Sequence, residues 1–406
     1  MDTLSKAKKY EKELIRDYTE LHKRAEYGFD LPKTVEYVTR RLNELGVRNE
    51  PCGKNGIVGY IGDKGAKECI LLRADMDALP IKECTGVPYS ATGEFSHACG
   101  HDAHTAMLLC AAKILKEEEN SLCGCVKLLF QPAEELLEGA KAMIEAGVLE
   151  CPKVSAAMML HLITATELES GSVVVSSEGV SAPSADYFKI KIKGSACHGS
   201  TPEKGRDPIS ALCRIVAALD VIRARELSLS QSAVITIGSV SAGNVPNAIP
   251  TEATASGSIR AYSEQTRGYI KKRIENIANG IASALETECE LDFYAGAPTL
   301  VNDGELSLAV EGWAKALLGN ETVKTSDELY ETAKKSGKAS QGAGSEDFAY
   351  ISHKISSVMV ALAAGKASDG YKYPLHNEKT AFDTKSFKYG AALLSECAKM
   401  WLNCRK

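Results

Sequence analysis

Short apolar runs alternate with amphipathic segments along much of the chain. Runs at 56–61, 69–74, 126–130 and 156–160 predict buried strands, because each is short, apolar and bounded by polar or glycine residues. Apolar positions at helical spacing predict helices between the strands, such as one over 103–118. Alternating strands and helices are typical of an α/β sheet covered on both faces.

The pattern changes near residue 183. Residues 187–193 alternate between two faces, one with Phe and Ile side chains and the other with a Tyr and three lysines, which predicts a half-buried strand. Asp207 and Pro208 indicate the start of the next helix, since Asp caps helices and Pro is favoured at the first helical position. Two strands, a second helix and a last strand follow. This β-α-β-β-α-β order is that of a ferredoxin-like split motif.

The sequence therefore predicts a small domain inserted into a larger one. The larger domain comprises 1–182 and 296–406, and the insertion comprises 183–295. The polar stretch 324–344 is rich in Gly, Ser and Lys and predicts a mobile loop. A helix over 384–403 is predicted near the end of the chain.

Composition narrows the class of protein. The chain has 406 residues, of which 44% are hydrophobic and 25% charged, as in globular proteins. Its net charge of -5 favours neither nucleic acid nor a membrane surface as a partner. The 13 cysteines are scattered and odd in number, unlike a secreted disulfide framework. Without a signal-like or membrane-length apolar run, the sequence predicts a soluble, cytoplasmic protein.

Residue types that bind metals cluster after the predicted strands. In the segment HACGHDAH, Cys99 and His101 are two residues apart, and Gly100 lets the backbone turn so that both can face one centre. A thiolate and an imidazole suit zinc or a similar divalent ion. Taken alone, the segment is equally consistent with a polar surface loop.

Two adjacent acids follow the strand at 126–130. In FQPAEE, Glu134 and Glu135 are neighbours, and adjacent like charges are unfavourable unless a cation lies close by. Their side chains diverge, so one can bind a metal while the other takes a proton from water. A solvated helix start with acids at its positive end explains the pair equally well.

Single signals stand at other strand ends. His161 directly follows the run at 156–160, Asp75 and Asp77 lie in the segment RADMDALP, and His376 lies in LHN. Each has an ordinary structural explanation, such as a buried core histidine. Sites in open α/β sheets form at the carboxyl ends of strands, so the signals together favour one metal-dependent site.

These segments occur in an order that resembles one known family. The motifs that carry the resemblance are RADMDALP, HACGHDAHTAMLL, FQPAEE, LH, GSACHGSTPEKGRDPI, GNVPNAIP, GSIRAY, GSEDF and LHN. Over most of residues 8–400 the chain resembles the metal-dependent amidohydrolase/carboxypeptidase family, which includes hippurate hydrolases, N-acyl-amino-acid amidohydrolases and plant indole-acetyl-amino-acid hydrolases. The resemblance implies a mixed-sheet metallopeptidase (phosphorylase/hydrolase-like) catalytic domain with an inserted ferredoxin-like α+β lid and dimerisation domain.

The resemblance also implies the metal centre. Two divalent ions, Zn or Mn with Co or Ni as further options, would share Cys99 as a bridging ligand. Glu134 would be the general base, and Asp77 would orient a ligand histidine. The remaining ligands implied are His101, Glu135, His161 and His376.

In the inserted domain the resemblance implies residues that contact the substrate. His198 corresponds to a histidine that supports the oxyanion in the partner subunit's site of a homodimer, and Asn247 to an asparagine that holds substrate. Arg260 could bind the substrate carboxylate or form a strand salt bridge. Gly344 and Ser345 would line the pocket through backbone groups.

The implied reaction is hydrolysis of N-acyl amino acids, which releases a carboxylic acid and a free amino acid. A dipeptidase or an N-acetyl-diaminopimelate deacetylase could use the same metals. A binding protein without turnover and a hydrolase with Cys99 as nucleophile are further alternatives. HGSTPEKG departs from the common HAAMPH, and the residues after His161 and His376 also differ, so the resemblance does not fix the acyl group.

Overall fold

The structure is a computed structural model that describes residues 1–335 and 344–405. In chain order its helices are α1 (Thr3–Lys9), α2 (Glu11–His22), α3 (Pro32–Glu44), α4 (His101–Glu117), α5 (Gly139–Glu145), α6 (Pro208–Val221), α7 (Glu264–Ala284), α8 (Gly304–Leu318), α9 (Ser326–Lys335), α10 (Ala349–Ser352) and α11 (Phe387–Asn403). In chain order its strands are β1 (Arg48–Cys52), β2 (Gly56–Gly62), β3 (Cys69–Asp75), β4 (Cys125–Gln131), β5 (Ala156–Ile163), β6 (Val173–Val175), β7 (Gly179–Ala182), β8 (Ser184–Lys193), β9 (Cys197–His198), β10 (Ala233–Ala242), β11 (Ala248–Ile249), β12 (Glu252–Ala261), β13 (Glu288–Ala297), β14 (Leu300–Asn302), β15 (Val323–Thr325) and β16 (Ser356–Ala363).

The chain forms two compact units. The first combines Met1–Ser181 with the described residues from Val301 onward, apart from 344–346. The second comprises Ala182–Leu300 together with 344–346. No helix in the described part of the chain is both long and apolar enough to cross a bilayer.

An eight-stranded mixed sheet forms the first unit, in the order β1-β2-β4-β3-β5-β16-β6-β15. The four central strands β4, β3, β5 and β16 run parallel to one another. Their carboxyl ends therefore lie at one edge of the sheet, which is where sites form in such folds. The strands predicted from the apolar runs are β2, β3, β4 and β5, each slightly longer than its run, so this part of the prediction is confirmed.

Helix α4 lies at the centre of the first unit. Nearly every side chain along it is buried, and it packs against α2, α11 and β3. Gly100 precedes it with φ +87°, a left-handed conformation that favours glycine. A Cβ atom there would also lie 2.9 Å from the ring of Phe382. The HACG turn thus delivers α4 into the core with His101 as its first residue.

A fully buried lysine lies within this sheet. Lys127 on β4 has no exposed surface, and its ammonium donates to the carbonyl oxygens of Val148, Glu150 and Pro152 at 2.8, 2.7 and 3.0 Å. Burial lowers the pKa of this ammonium. The three bonds attach the turn before β5 to the middle of β4.

We expect Lys127→Met to lower the free energy of unfolding by about 3 kcal/mol, because the substitution leaves three carbonyl groups without their donor, of which those of Val148 and Pro152 are buried. A denaturation midpoint measured beside that of the exposed-site control Lys141→Met checks this. A midpoint equal to or above that of the control would contradict the expectation.

The second unit is a four-stranded antiparallel sheet in the order β10-β12-β8-β13, with α6 and α7 on one face. Phe188, Ile190 and Ile192 point from β8 into the core against these helices. The alternate lysines face the other side, where Lys191 lies 2.6 Å from Glu252. The order and directions are those of a ferredoxin-like fold.

The prediction of a mobile loop over 324–344 is wrong for its first half. Residues 326–335 form α9. The backbone N–H of Thr325 donates to the Glu328 carboxylate at 2.9 Å, and the N–H of Glu328 donates to the Thr325 hydroxyl at 3.2 Å. This reciprocal cap stabilises the first turn of a polar helix. Residues 336–343 lie outside the described part of the chain.

Candidate metal centre

The predicted metal ligands meet at the carboxyl edge of the mixed sheet. Cys99 lies in the turn before α4, His101 opens α4, Glu135 follows β4, His161 is on β5, and His376 is in the loop after β16. Donor atoms of Cys99, His101 and His161 lie within 4.8 Å of one another. So do donor atoms of Cys99, Glu135 and His376. The two groups share the thiol.

The distances place Cys99 between two histidines. Its Sγ lies 3.5 Å from Nε2 of His161 and 3.3 Å from Nε2 of His376. Nε2 of His376 lies 3.5 Å from Oε1 of Glu135. Five donors from four separate parts of the sequence thus face one small volume.

Hydrogen bonds orient two of the imidazoles. Nδ1 of His101 donates to the main-chain oxygen of Asp77 at 2.9 Å, and Nδ1 of His161 donates to the main-chain oxygen of Leu162 at 2.7 Å. In a neutral ring, a proton held on Nδ1 leaves Nε2 with a free lone pair, which is the form that binds metals. Within the described residues, Nε2 of His101 is buried and has no hydrogen-bond partner.

Asp77 connects the two sides of the centre. Besides the carbonyl bond to His101, its carboxylate accepts the backbone N–H groups of Glu134 and Glu135 at 3.0 and 3.2 Å. One residue thus fixes the positions of an imidazole and of both acids.

Glu134 lies beside the donors without belonging to the two groups that share the thiol. Its Oε2 is 3.9 Å from Nε2 of His101, and its side chain is only 7% exposed. Ala133 before it has φ +57°, a left-handed conformation that turns the chain sharply after β4. The turn sends two neighbouring carboxylates toward the same centre.

The protonation states of His161 and His376 suit cation binding directly, whereas His101 must lose a proton to bind. Burial lowers the pKa of His161 to about 3, and partial burial followed by the charge of His101 lowers the pKa of His376. Both imidazoles are therefore neutral. Burial would lower the pKa of His101, but the Asp75 carboxylate outweighs it and raises that pKa well above its usual value, so a metal ion would replace the proton on Nε2. Burial raises the pKa of the Cys99 thiol, and a bound divalent cation would favour its thiolate.

The donor set fits the implied ions. One thiol, three imidazoles and one carboxylate are ligands typical of zinc and related divalent metals. The buried, unbonded Nε2 of His101 and the buried pair of acids at 134 and 135 are also what a cation site requires.

Sequence reasoning missed the layer behind these ligands. Nδ1 of His104 donates to Asp75 at 2.6 Å, and the backbone N–H of Leu162 donates to its Nε2 at 2.8 Å. Asp75 also accepts from Arg73 at 2.6 Å. His104 stands one helical turn after His101 in the sequence, a spacing that could have identified it.

Two predicted residues lie together in the second unit. His198 on β9 is exposed, and its Nδ1 accepts the N–H of Ser200 at 3.1 Å, so a neutral ring carries its proton on Nε2. Asn247 adjoins it, since its carbonyl accepts the N–H of Gly199 at 2.7 Å. Both side chains are at the same end of this unit.

Arg260 lies at the other end of β12, about 26 Å from the end nearest Asn247 at the rise of an extended strand. Its guanidinium donates to the Ser345 hydroxyl at 2.5 Å and to the Tyr187 hydroxyl at 3.2 Å. Gly344 beside Ser345 is exposed. The second unit thus does not bring Arg260 and Asn247 to one small site.

A cluster of nitrogen, sulfur and oxygen donors at the carboxyl edge of a mixed sheet, with a further carboxylate beside it, defines a metal-dependent hydrolase. Residues 71–400 match the family model described as peptidase family M20/M25/M40. The chain belongs to this family.

Individual relatives agree with that assignment. A hippurate hydrolase from Campylobacter jejuni is 39% identical over 302 residues, which cover 74% of this chain and 78% of the relative. An N-acetylcysteine deacetylase from Bacillus subtilis is 32% identical over 398 residues, which cover 97% of this chain and 99% of the relative. The solved structure of a dinuclear metal-binding M20 peptidase from Bacillus subtilis matches with a TM-score of 0.77 at 30% identity, covering 98% of this chain and 99% of that one.

The predicted family, fold class and enzyme class are therefore confirmed. The protein is a metal-dependent hydrolase of amide bonds, and two divalent metal ions are its cofactors.

Proposed function

We propose that the protein hydrolyses the amide bond of N-acyl amino acids and releases a carboxylic acid and a free amino acid. The observation that carries this is the group of five donors around Cys99 with the Glu134 carboxylate beside it. Relatives named hippurate hydrolase and N-acetylcysteine deacetylase support the substrate class.

The proposed ligands of the two ions, Zn or Mn, are Cys99, His101, Glu135, His161 and His376. When bound, such ions acidify water and polarise an amide carbonyl. Glu134 takes the proton of the attacking water at its carboxylate and returns it to the leaving amine. Asp77 keeps this base in place through the backbone N–H at 134.

We further propose that the protein is a homodimer that pairs through the second unit. His198 and Asn247 then act on a substrate bound by the partner copy, with the Nε2–H of His198 donating to the developing oxyanion. Their distance from Arg260 along β12 supports two separate roles. Arg260 is proposed to bind the substrate carboxylate, and Gly344 and Ser345 to line the pocket through backbone groups.

The proposed domain division is 1–182 and 296–406 for the catalytic domain and 183–295 for the lid and dimerisation domain. The two compact units support it. We also propose a cytoplasmic location. All 13 cysteines are free thiols in the structure, which is typical of a reducing compartment.

Release of free amine from a panel of N-acyl amino acids, dipeptides and N-acetyl-diaminopimelate tests the substrate class. The enzyme is loaded with Zn or Mn, and a chelated sample is run in parallel. We expect chelator-sensitive release that is fastest from N-acyl amino acids, because the relatives act on that class.

Faster release from dipeptides or from N-acetyl-diaminopimelate would contradict N-acyl amino acids as the substrate class and favour the faster substrate. Each acyl amino acid is also tested as its methyl ester, which removes the α-carboxylate. An unchanged kcat/KM for the ester would contradict carboxylate recognition by Arg260.

A further inference from the structure

A long irregular segment leads into the metal centre. Residues 76–100 connect β3 to α4 and include no helix or strand within them. Leu79 and Ser96 exchange two backbone hydrogen bonds of 3.0 Å, which close the base of an excursion over 80–95. Cys99 follows directly on this closed base. Ordered loops of this length usually have a function.

A buried cluster of three charges fastens the excursion to the core. Nδ1 of His22, the last residue of α2, donates to the Asp102 carboxylate of α4 at 2.6 Å. Nε2 of His22 donates to the Glu83 carboxylate at 3.1 Å. Glu83 also accepts the N–H of Ala91 at 2.7 Å and the hydroxyl of Thr85, so it joins both arms of the excursion.

The histidine of this cluster is a cation at neutral pH. Burial alone would lower the pKa of His22, but the carboxylates of Asp102 and Glu83 outweigh it and raise the pKa to about 10. Burial would raise the pKa of Glu83, yet its bonds, first of all that with His22, lower it to about 2. The cluster therefore joins one imidazolium to two carboxylates.

The excursion is connected in turn to the loop that carries His376. The N–H of Cys84, next to Glu83, donates to the carbonyl of Glu378 at 2.7 Å. The N–H of His376 donates to the carbonyl of Ala98, next to Cys99, at 2.9 Å. His376 itself has φ +63°, a strained conformation that only its surroundings maintain.

We propose that His22 is a positioning residue of the metal centre, which holds His376 and Cys99 at binding distance through Glu83, Cys84 and Glu378. This rests on the metal ligands of the proposed function. His22 touches no proposed ligand. It acts through the two loops and through Asp102, which follows the proposed ligand His101 on α4. Residues that fix ligand geometry in this way affect metal affinity without binding the metal.

The test is a cobalt titration of His22→Gln, followed by the absorption of the thiolate–cobalt bond and by competition with a chelator. Glutamine can retain one of the two hydrogen bonds of His22, but it carries no positive charge and cannot connect Asp102 with Glu83. We expect cobalt to bind about 10–100-fold more weakly than in the wild type. We also expect the thiolate band to shift, since the distance between Cys99 and His376 is no longer fixed.

Two further variants separate positioning from stability. Asp17→Asn is the matched control, because Asp17 is also buried on α2 and charged, but accepts from Arg41 at 2.9 Å and Tyr37 at 2.7 Å, which lie on α3. It should unfold more easily yet bind cobalt like the wild type. His22→Gln combined with Glu83→Gln should recover stability, because one buried unpaired charge is gone, but not cobalt affinity.

Wild-type cobalt affinity and an unchanged band in folded His22→Gln would overturn the proposal. Recovery of wild-type cobalt affinity in the double variant would also overturn the proposal, because it would show that His22 only balances the charge of Glu83. If His22→Gln does not fold, Glu83→Gln alone should show the weaker binding, and wild-type affinity there would count equally against the proposal. A wild type without any thiolate–cobalt band would instead refute the assignment of Cys99 as a ligand.

Discussion

Glu134→Gln should lower kcat by about 10³-fold while both metal ions still bind, because the amide cannot take the proton from the attacking water. This variant changes the carboxylate of residue 134 without removing the contact that holds its backbone. Asp77 holds residue 134 by its backbone N–H, so the side-chain change leaves the turn intact. Steady-state rates at measured metal content, with N-acetyl and benzoyl amino acids as substrates, check the prediction.

Glu138→Gln provides the matched control for this variant. Glu138 is exposed, four residues further along the same segment. It should keep wild-type kcat and wild-type metal content. Turnover by Glu134→Gln within a few-fold of the control, at equal metal content, would remove Glu134 as the base.

Cys99→Ala should lose metal and activity together. Cys99 is shared by both groups of donors, so its removal leaves each of them one donor short. Because loss of even an outer partner of a metal ligand weakens binding by about 10–100-fold, we expect a larger loss here. Metal content after gel filtration and activity with added Zn or Mn measure the two effects.

Cys99→Asp separates a metal ligand from a nucleophile. A carboxylate can bind divalent ions, so this variant should regain part of the metal content and part of the rate. A cysteine nucleophile would not be replaced in this way, and its activity would survive chelation of the wild type. Full activity in chelated wild type, with no turnover by Cys99→Asp, would support the nucleophile and contradict the metal site.

Much of the fold could be predicted from local pattern. The apolar runs that became β2 to β5 are continuous because these strands are buried on both faces. The strand β8 could also be predicted from its alternating pattern, since one face packs on helices and the other carries lysines. The HACGHD and PAEE segments could be found because each contains two potential metal-binding or acid–base residues within a few positions.

What the sequence could not predict depends on distant partners. Asp75 and His104 are 29 residues apart, and His22 and Asp102 are 80 apart, yet each pair forms a buried hydrogen bond. No local spacing encodes such a pair. The helix α9 was missed for another reason, because its polar composition concealed the Thr325 and Glu328 cap, which was in fact readable.

The position of β16 has a consequence for the synthesis of the chain. This strand lies between β5 and β6, and its residues 356–363 pair with 156–163 across an entire inserted unit. The ribosome must therefore pass residue 363 before the large sheet can close, whereas residues 182–300 of the inserted unit are made before β16. His376 emerges later still, so the nascent chain cannot assemble the full set of proposed metal ligands until residue 376 has left the ribosome.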